Sequence, residues 1–163
     1  MTTLHLGVID IPYAEPPPAP KRAPKKPRRG RKARSRKYSN ITTGDVAEIL
    51  EAQYHVMEHF FELHENEVLS VLEESLEGSL ESLLMGAPAS INPFGTGTAK
   101  IEDAFKKMLD TKELDGLGYP GIPTQAALMG VSHRFKQPYR RRPPRPSFID
   151  TGEYQASFKA WVD

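Results

Sequence analysis

Over residues 44–85, Val46, Leu50, Tyr54, Met57, Phe61, His64, Val68, Val71, Leu72, Leu76, Leu80 and Leu84 recur in steps of three and four. That period predicts an amphipathic α-helix, because side chains three and four apart share one face. Thr42 or Thr43 is placed to cap its start, and Asp45 sits in the first turn, where unpaired N–H groups favour an acid. Gly86 followed by Pro88 closes it. A helix of some forty residues would run roughly 60 Å, longer than so small a domain covers. Gly78 is therefore the expected kink, or the break between two helices. The stripe itself reads as core or subunit packing.

The remaining pattern is shorter. Residues 3–9 (TLHLGVI) suit a short strand, or an extended peptide docked on another subunit's sheet edge. Pro16, Pro17, Pro18 and Pro20 then stiffen a spacer. Residues 87–98 read as a loop, and residues 99–109 as a short helix through Ile101, Phe105, Met108 and Leu109. Thr124 can cap a third helix over residues 125–135, which Pro138 ends. Residues 154–162 alternate apolar and polar, which supports a terminal strand, although Tyr154, Phe158 and Trp161 also suit a helix. The expected class is α+β: a long amphipathic helix, kinked or broken, with shorter helices, a small C-terminal β element and an extended basic N-terminal arm. Residues 1–43 are expected as that Pro-rich arm and residues 44–163 as the helical and small-β assembly domain.

Charge changes this picture more than composition does. The net charge of +1 conceals a segregation along the chain. Residues 21–37 hold eleven cations and no acid: Lys21, Arg22, Lys25, Lys26, Arg28, Arg29, Arg31, Lys32, Arg34, Arg36 and Lys37. Residues 41–86 hold eleven acids and no Lys or Arg. A second basic segment carries Arg140, Arg141, Arg142 and Arg145. Few apolar residues and many prolines keep residues 1–43 from offsetting the backbone ordering entropy of about 1–2 kcal/mol per residue. The arm is thus expected to meet a partner, either double-stranded DNA through its phosphates or an acidic protein surface. Its basic run, residues 21–37, has no aromatic residue before Tyr38 on which single-stranded bases would stack. The chain has no Cys, which removes disulfides and thiolate chemistry. No apolar run approaches the 18 or so residues of a membrane span, and the N-terminus lacks a signal-peptide pattern.

Two short motifs could carry chemistry. The run from His55 to His59 (HVMEH) matches the H-x-x-E-H arrangement, in which two His one turn apart hold zinc and Glu58 acts as base. A third ligand would come from Glu62, His64 or Glu65. Such five-residue patterns recur by chance on a Glu-rich helix, so no metal, cofactor or catalytic residue is expected. The triplet Asp150, Thr151 and Gly152 occurs in aspartic proteases too, but here reads as a turn in which Gly152 supplies a positive φ.

The C-terminal run RPSFIDTGEYQASFKAWVD resembles the end of tailed-bacteriophage neck proteins of the tail-completion, or head–tail connector, type. The residues that carry the likeness are Asp150, Thr151, Gly152, Tyr154, Ser157 and Phe158, within residues 124–163. The Pro/Lys/Arg arm and the long acidic helix depart from that pattern. The resemblance implies a non-enzymatic virion protein made in the bacterial host cytoplasm. It would form a ring of its own copies around the DNA path, against portal, connector or tail proteins and away from membranes. A tail or baseplate protein, a nucleic-acid-binding protein with a basic arm, and a small zinc hydrolase are the alternatives.

Overall fold

Thr42 opens the first helix. Its hydroxyl accepts a hydrogen bond from the Asp45 amide at 3.2 Å, and the Asp45 carboxylate accepts one from the Thr42 amide at 2.9 Å. This capping box pairs two backbone donors that a helix start otherwise leaves open. Helix α1 (Thr43–Tyr54) stops at His55, whose φ of 49° and ψ of 44° place it in the left-handed region. Helix α2 (Val56–Leu84) starts immediately beyond. Glu51, in the last turn of α1, receives the Met57 amide at 2.8 Å and the Glu58 amide at 3.2 Å, so it caps α2 from the preceding helix.

The expected break at Gly78 is therefore corrected to His55. Gly78 lies inside α2, in open space. A second irregularity falls at His64, where φ of −112° and ψ of 15° leave the helical region. The break resets the helical phase. Val56, Phe60, Val68 and Ser75 are buried, whereas Phe61, Leu76, Leu80 and Leu84 of the expected stripe are exposed. One apparent stripe in the sequence is thus two faces in the structure.

The computed structural model describes residues 2–13, 41–130 and 143–163. Beyond α2 come α3 (Gly95–Thr111), α4 (Glu113–Gly116), α5 (Gln125–Leu128), α6 (Glu153–Ser157) and strand β2 (Phe158–Val162). The first strand, β1 (Leu4–Val8), pairs antiparallel with β2, in register from Leu4 opposite Val162 to Val8 opposite Phe158. The α+β class holds: a long helix, shorter helices and a small β element closed by the C-terminus. Residues 4–8 of the expected arm thus belong to the body, with Leu4, Leu6 and Val8 packed against its core.

That core is aromatic. Phe105 of α3 stacks on Phe158 of β2 with centroids 3.8 Å apart, and Phe60 of α2 meets Phe105 edge-on at 5.3 Å. All three rings are fully buried beside Ile101 and Met108. Such pairs add about 0.5–1.5 kcal/mol beyond the area they bury. Gly97 sets the approach of α3 to α2, since a Cβ there would stand 2.8 Å from the Val71 carbonyl oxygen. Residues 95–98 therefore form the start of α3, not the end of a loop. The third helix also differs from expectation: Thr124 caps it through the Ala127 amide, but α5 ends at Leu128. Residues 154–157 of the expected strand are helical, so β2 is confined to Phe158–Val162.

Candidate functional site

The basic residues of 21–37, and Arg140, Arg141 and Arg142, lie outside the described residues. What is placed is the root that flanks the first basic segment in sequence. The Tyr13 amide donates to the Ile41 carbonyl at 3.3 Å, Pro12 bridges to Thr42, and the Thr43 amide donates to the Ile11 carbonyl at 2.9 Å. The buried Thr43 hydroxyl donates to the Ile9 carbonyl at 2.6 Å and accepts the Ile11 amide at 2.8 Å. Asp10 accepts the Gly44 amide at 3.0 Å; this bond and one from the Thr42 side chain hold its carboxyl below the ordinary value. Residues 13 and 41, which flank the first basic segment in sequence, consequently stand side by side. A depression of about 260 Å³ lies at this root, lined by Ile11, Pro12, Thr43, Glu153, Ala156 and Ser157. Small-molecule pockets are commonly about 300–1,000 Å³.

Arg145 and the triplet that follows it are brought together. Arg145 donates from its guanidinium to the Ile149 carbonyl and pairs with Asp150 at 3.4 Å. Gly152, with φ of 82°, precedes α6, and the Thr151 hydroxyl accepts the Glu153 amide at 3.4 Å. The turn leads through α6 into β2, which pairs with β1 of the same chain. Ser157 is buried; its hydroxyl donates to the Tyr154 carbonyl at 2.9 Å, and its carbonyl accepts the Ile9 amide at 2.7 Å. Tyr154 is buried with its hydroxyl unpartnered, and burial, reinforced by the Glu51 charge, raises its pKa well above the ordinary range.

In the H-x-x-E-H motif the His55 and His59 rings lie edge to face with centroids 6.3 Å apart. His55 is the residue that breaks the helix, and its Nδ1 lies 2.9 Å from a Glu58 oxygen. The His59 ring is stacked on Tyr119 with centroids 3.7 Å apart, and its Nδ1 faces Glu62 at 3.2 Å. Among the described residues, the ligand atoms that converge, within 4.8 Å, belong to Glu51, His55 and Glu58. Glu51 is at the same time the cap of α2. His64 bridges two carboxylates, Glu67 at 2.9 Å and Glu113 at 3.0 Å, and so ties the irregular turn of α2 to α4. Every described histidine thus faces a carboxylate, His5 doing so with Asp163 at 2.7 Å.

Two structural residues, Ser75 and Glu51, were not singled out from the sequence. Ser75 is buried at the α2–α3 crossing, bonded to the Pro93 carbonyl, the Thr96 hydroxyl and the Gly97 amide. The signal available for it was the small-residue run GTGT at residues 95–98, which permits close helix approach. Glu51 as a cap across the break had no sequence signal, because the break itself had none. No helix among the described residues is long and apolar enough to cross a membrane. Comparison with protein-family models, with curated proteins and with solved structures finds no match.

Proposed function

We propose that this chain is a non-enzymatic assembly subunit of a phage head–tail junction, in the neck or at tail completion. Its copies form a ring around the DNA path, against portal, connector or tail proteins. The observation that carries the reading is the separation of function-bearing surface from folded core. A sequence segment with eleven cations is flanked by residues that Thr43, Asp10 and the Pro12–Thr42 bridge lock together. In contrast, α1 and α2 carry acids and no Lys or Arg. Segregated charge of this kind suits head-to-tail contacts between subunits and steers their encounter. A loop anchored at both ends adds avidity without a larger body. The turn at Asp150, Thr151 and Gly152, followed by Tyr154, Ser157 and the closing strand, is the local arrangement on which the resemblance rests.

Quantitative mass spectrometry of purified, DNA-filled particles, normalised to portal and major capsid protein, tests the proposal. A copy number of about six or twelve per particle is the ring count expected; absence from particles overturns it. A second reading, a nucleic-acid-binding protein with a basic loop, is favoured by the same anchored root. It predicts duplex-DNA affinity that falls steeply with salt and disappears on deletion of residues 21–37. A connector predicts self-association and particle incorporation that survive moderate salt.

A further inference from the structure

We propose that the outer face of α2 is a docking surface for a basic amphipathic helix of a partner protein. Leu69, Leu76, Leu80 and Leu83 follow one another at steps of seven, four and three. At 100° per residue they fall within one sector of about 60°. Each is about half exposed, from 46% for Leu83 to 54% for Leu80. They flank the α2 face that turns Val68, Val71, Leu72 and Ser75 to the core. The stripe spans residues 69–83, about 21 Å or four helical turns.

The chemistry of the flank identifies the occupant. Glu73, Glu77 and Glu81, in steps of four, form an exposed row beside the leucines, and none pairs with a cation among the described residues. A second copy of α2 is disfavoured, because residues 56–84 contain no Lys or Arg, so stripe-to-stripe pairing would bring like charges together. The chain's own basic segment is disfavoured for the opposite reason. Residues 21–37 supply the cations, but their only apolar residues are Ala and Pro, which cannot cover a leucine ridge. The complement needs both features on one element: a leucine-like stripe for the ridge, and Lys or Arg at steps of four for the carboxylate row. This deepens the assembly reading by giving the chemistry of one partner. Its test does not use particles, so the two can fail separately.

The test is fluorescence anisotropy of a labelled eighteen-residue synthetic helix, with Leu on one stripe and Lys at steps of four beside it, titrated with the full chain. Two comparison peptides are a scramble of the same residues and a peptide of residues 21–37. The striped peptide is expected to bind at least about tenfold more tightly than either, a free-energy difference of about 1.4 kcal/mol. Leu76→Ser with Leu80→Ser is expected to remove that advantage while helix content and thermal midpoint stay unchanged. Glu73→Gln, Glu77→Gln and Glu81→Gln together are expected to weaken binding severalfold, mainly at low salt. Equal binding of all three peptides overturns the proposal, since charge alone would then suffice. It is equally overturned if the serine variant unfolds. A dimer in sedimentation equilibrium that the serine variant dissolves would assign the face to a second copy instead.

Discussion

The two faces of α2 are made of similar residues and do different things. The inner face buries Val56, Phe60 and Val68 against α3 and β2, with Phe60 edge-on to Phe105. The outer face carries Leu69, Leu76, Leu80 and Leu83 into solvent beside a row of glutamates. Both are apolar, and both recur at helical spacing. What separates them is phase, set by the left-handed residue His55 between α1 and α2 and by the irregular turn at His64. Apolar periodicity therefore establishes that a helix exists, while the direction in which it is buried depends on where the chain is interrupted.

The largest effects are expected on the inner face. Phe105→Ala removes the ring that touches Phe60, Tyr154 and Phe158, and is expected to cost about 3–5 kcal/mol in urea unfolding. Leu80→Ala, on the outer face, is expected to stay within about 0.5 kcal/mol. A large loss at Leu80 would erase the distinction between the faces. Next in size is Gly97→Ala, whose new methyl would meet the Val71 carbonyl oxygen at 2.8 Å. Separating α2 from α3 there is expected to lower stability by about 1–3 kcal/mol.

Smaller changes sharpen the account of what fixes the phase. Thr42→Ala removes the capping box of α1 and is expected to cost about 1 kcal/mol, read as a lower thermal midpoint. Tyr154→Phe deletes a buried hydroxyl without a partner, so stability at neutral pH is expected to stay level or rise. The same residue sets an alkaline limit. Its folded-state pKa is raised above the ordinary 10.0, so stability is full below that pH and falls as pH rises beyond it. Tyr154→Phe is expected to delay alkaline unfolding, and an unchanged alkaline midpoint would contradict the burial assigned to this ring. The smallest effect belongs to Asp10→Asn. The lowered carboxyl pKa gives stability that is present above the ordinary 3.8 and lost as pH falls through the folded-state value. The variant is expected to flatten the acid limb of the stability curve.

Much of the fold was legible in the sequence because it rests on local rules. Thr42 and Asp45 announce a capping box, Gly86 and Pro88 a stop, and Ile101, Phe105 and Met108 a buried stripe. The break at His55 was not legible, since nothing marks a histidine between Tyr54 and Val56 as left-handed. It is held there by Glu51, which reaches across to cap α2. Gly78 carries the familiar signal for a break, yet tolerates the helix because its surroundings are open. The pairing of residues 4–8 with the last strand was open between intra- and intermolecular contact, because strand pairing at long sequence separation leaves no local trace. The turn at Gly152 was readable from glycine's access to positive φ, whereas the Arg145–Asp150 pair beside it needed coordinates. The root of the basic segment was hidden for a related reason: Thr43 reads as a second capping residue, while its buried hydroxyl ties residues 9 and 11 to the start of α1.

The separation of the two α2 faces is tested most directly by the unfolding free energy of the isolated full chain with Leu69, Leu76, Leu80 and Leu83 all replaced by Ser. A stripe left half exposed by the described residues contributes little, so the account predicts a change within about 2 kcal/mol, about 0.5 per site. The single substitution Phe60→Ala in the same assay is expected to cost about 3–5 kcal/mol. A loss of several kcal/mol in the serine variant would mean that the chain buries its own stripe, and would contradict the assignment of that face to a partner.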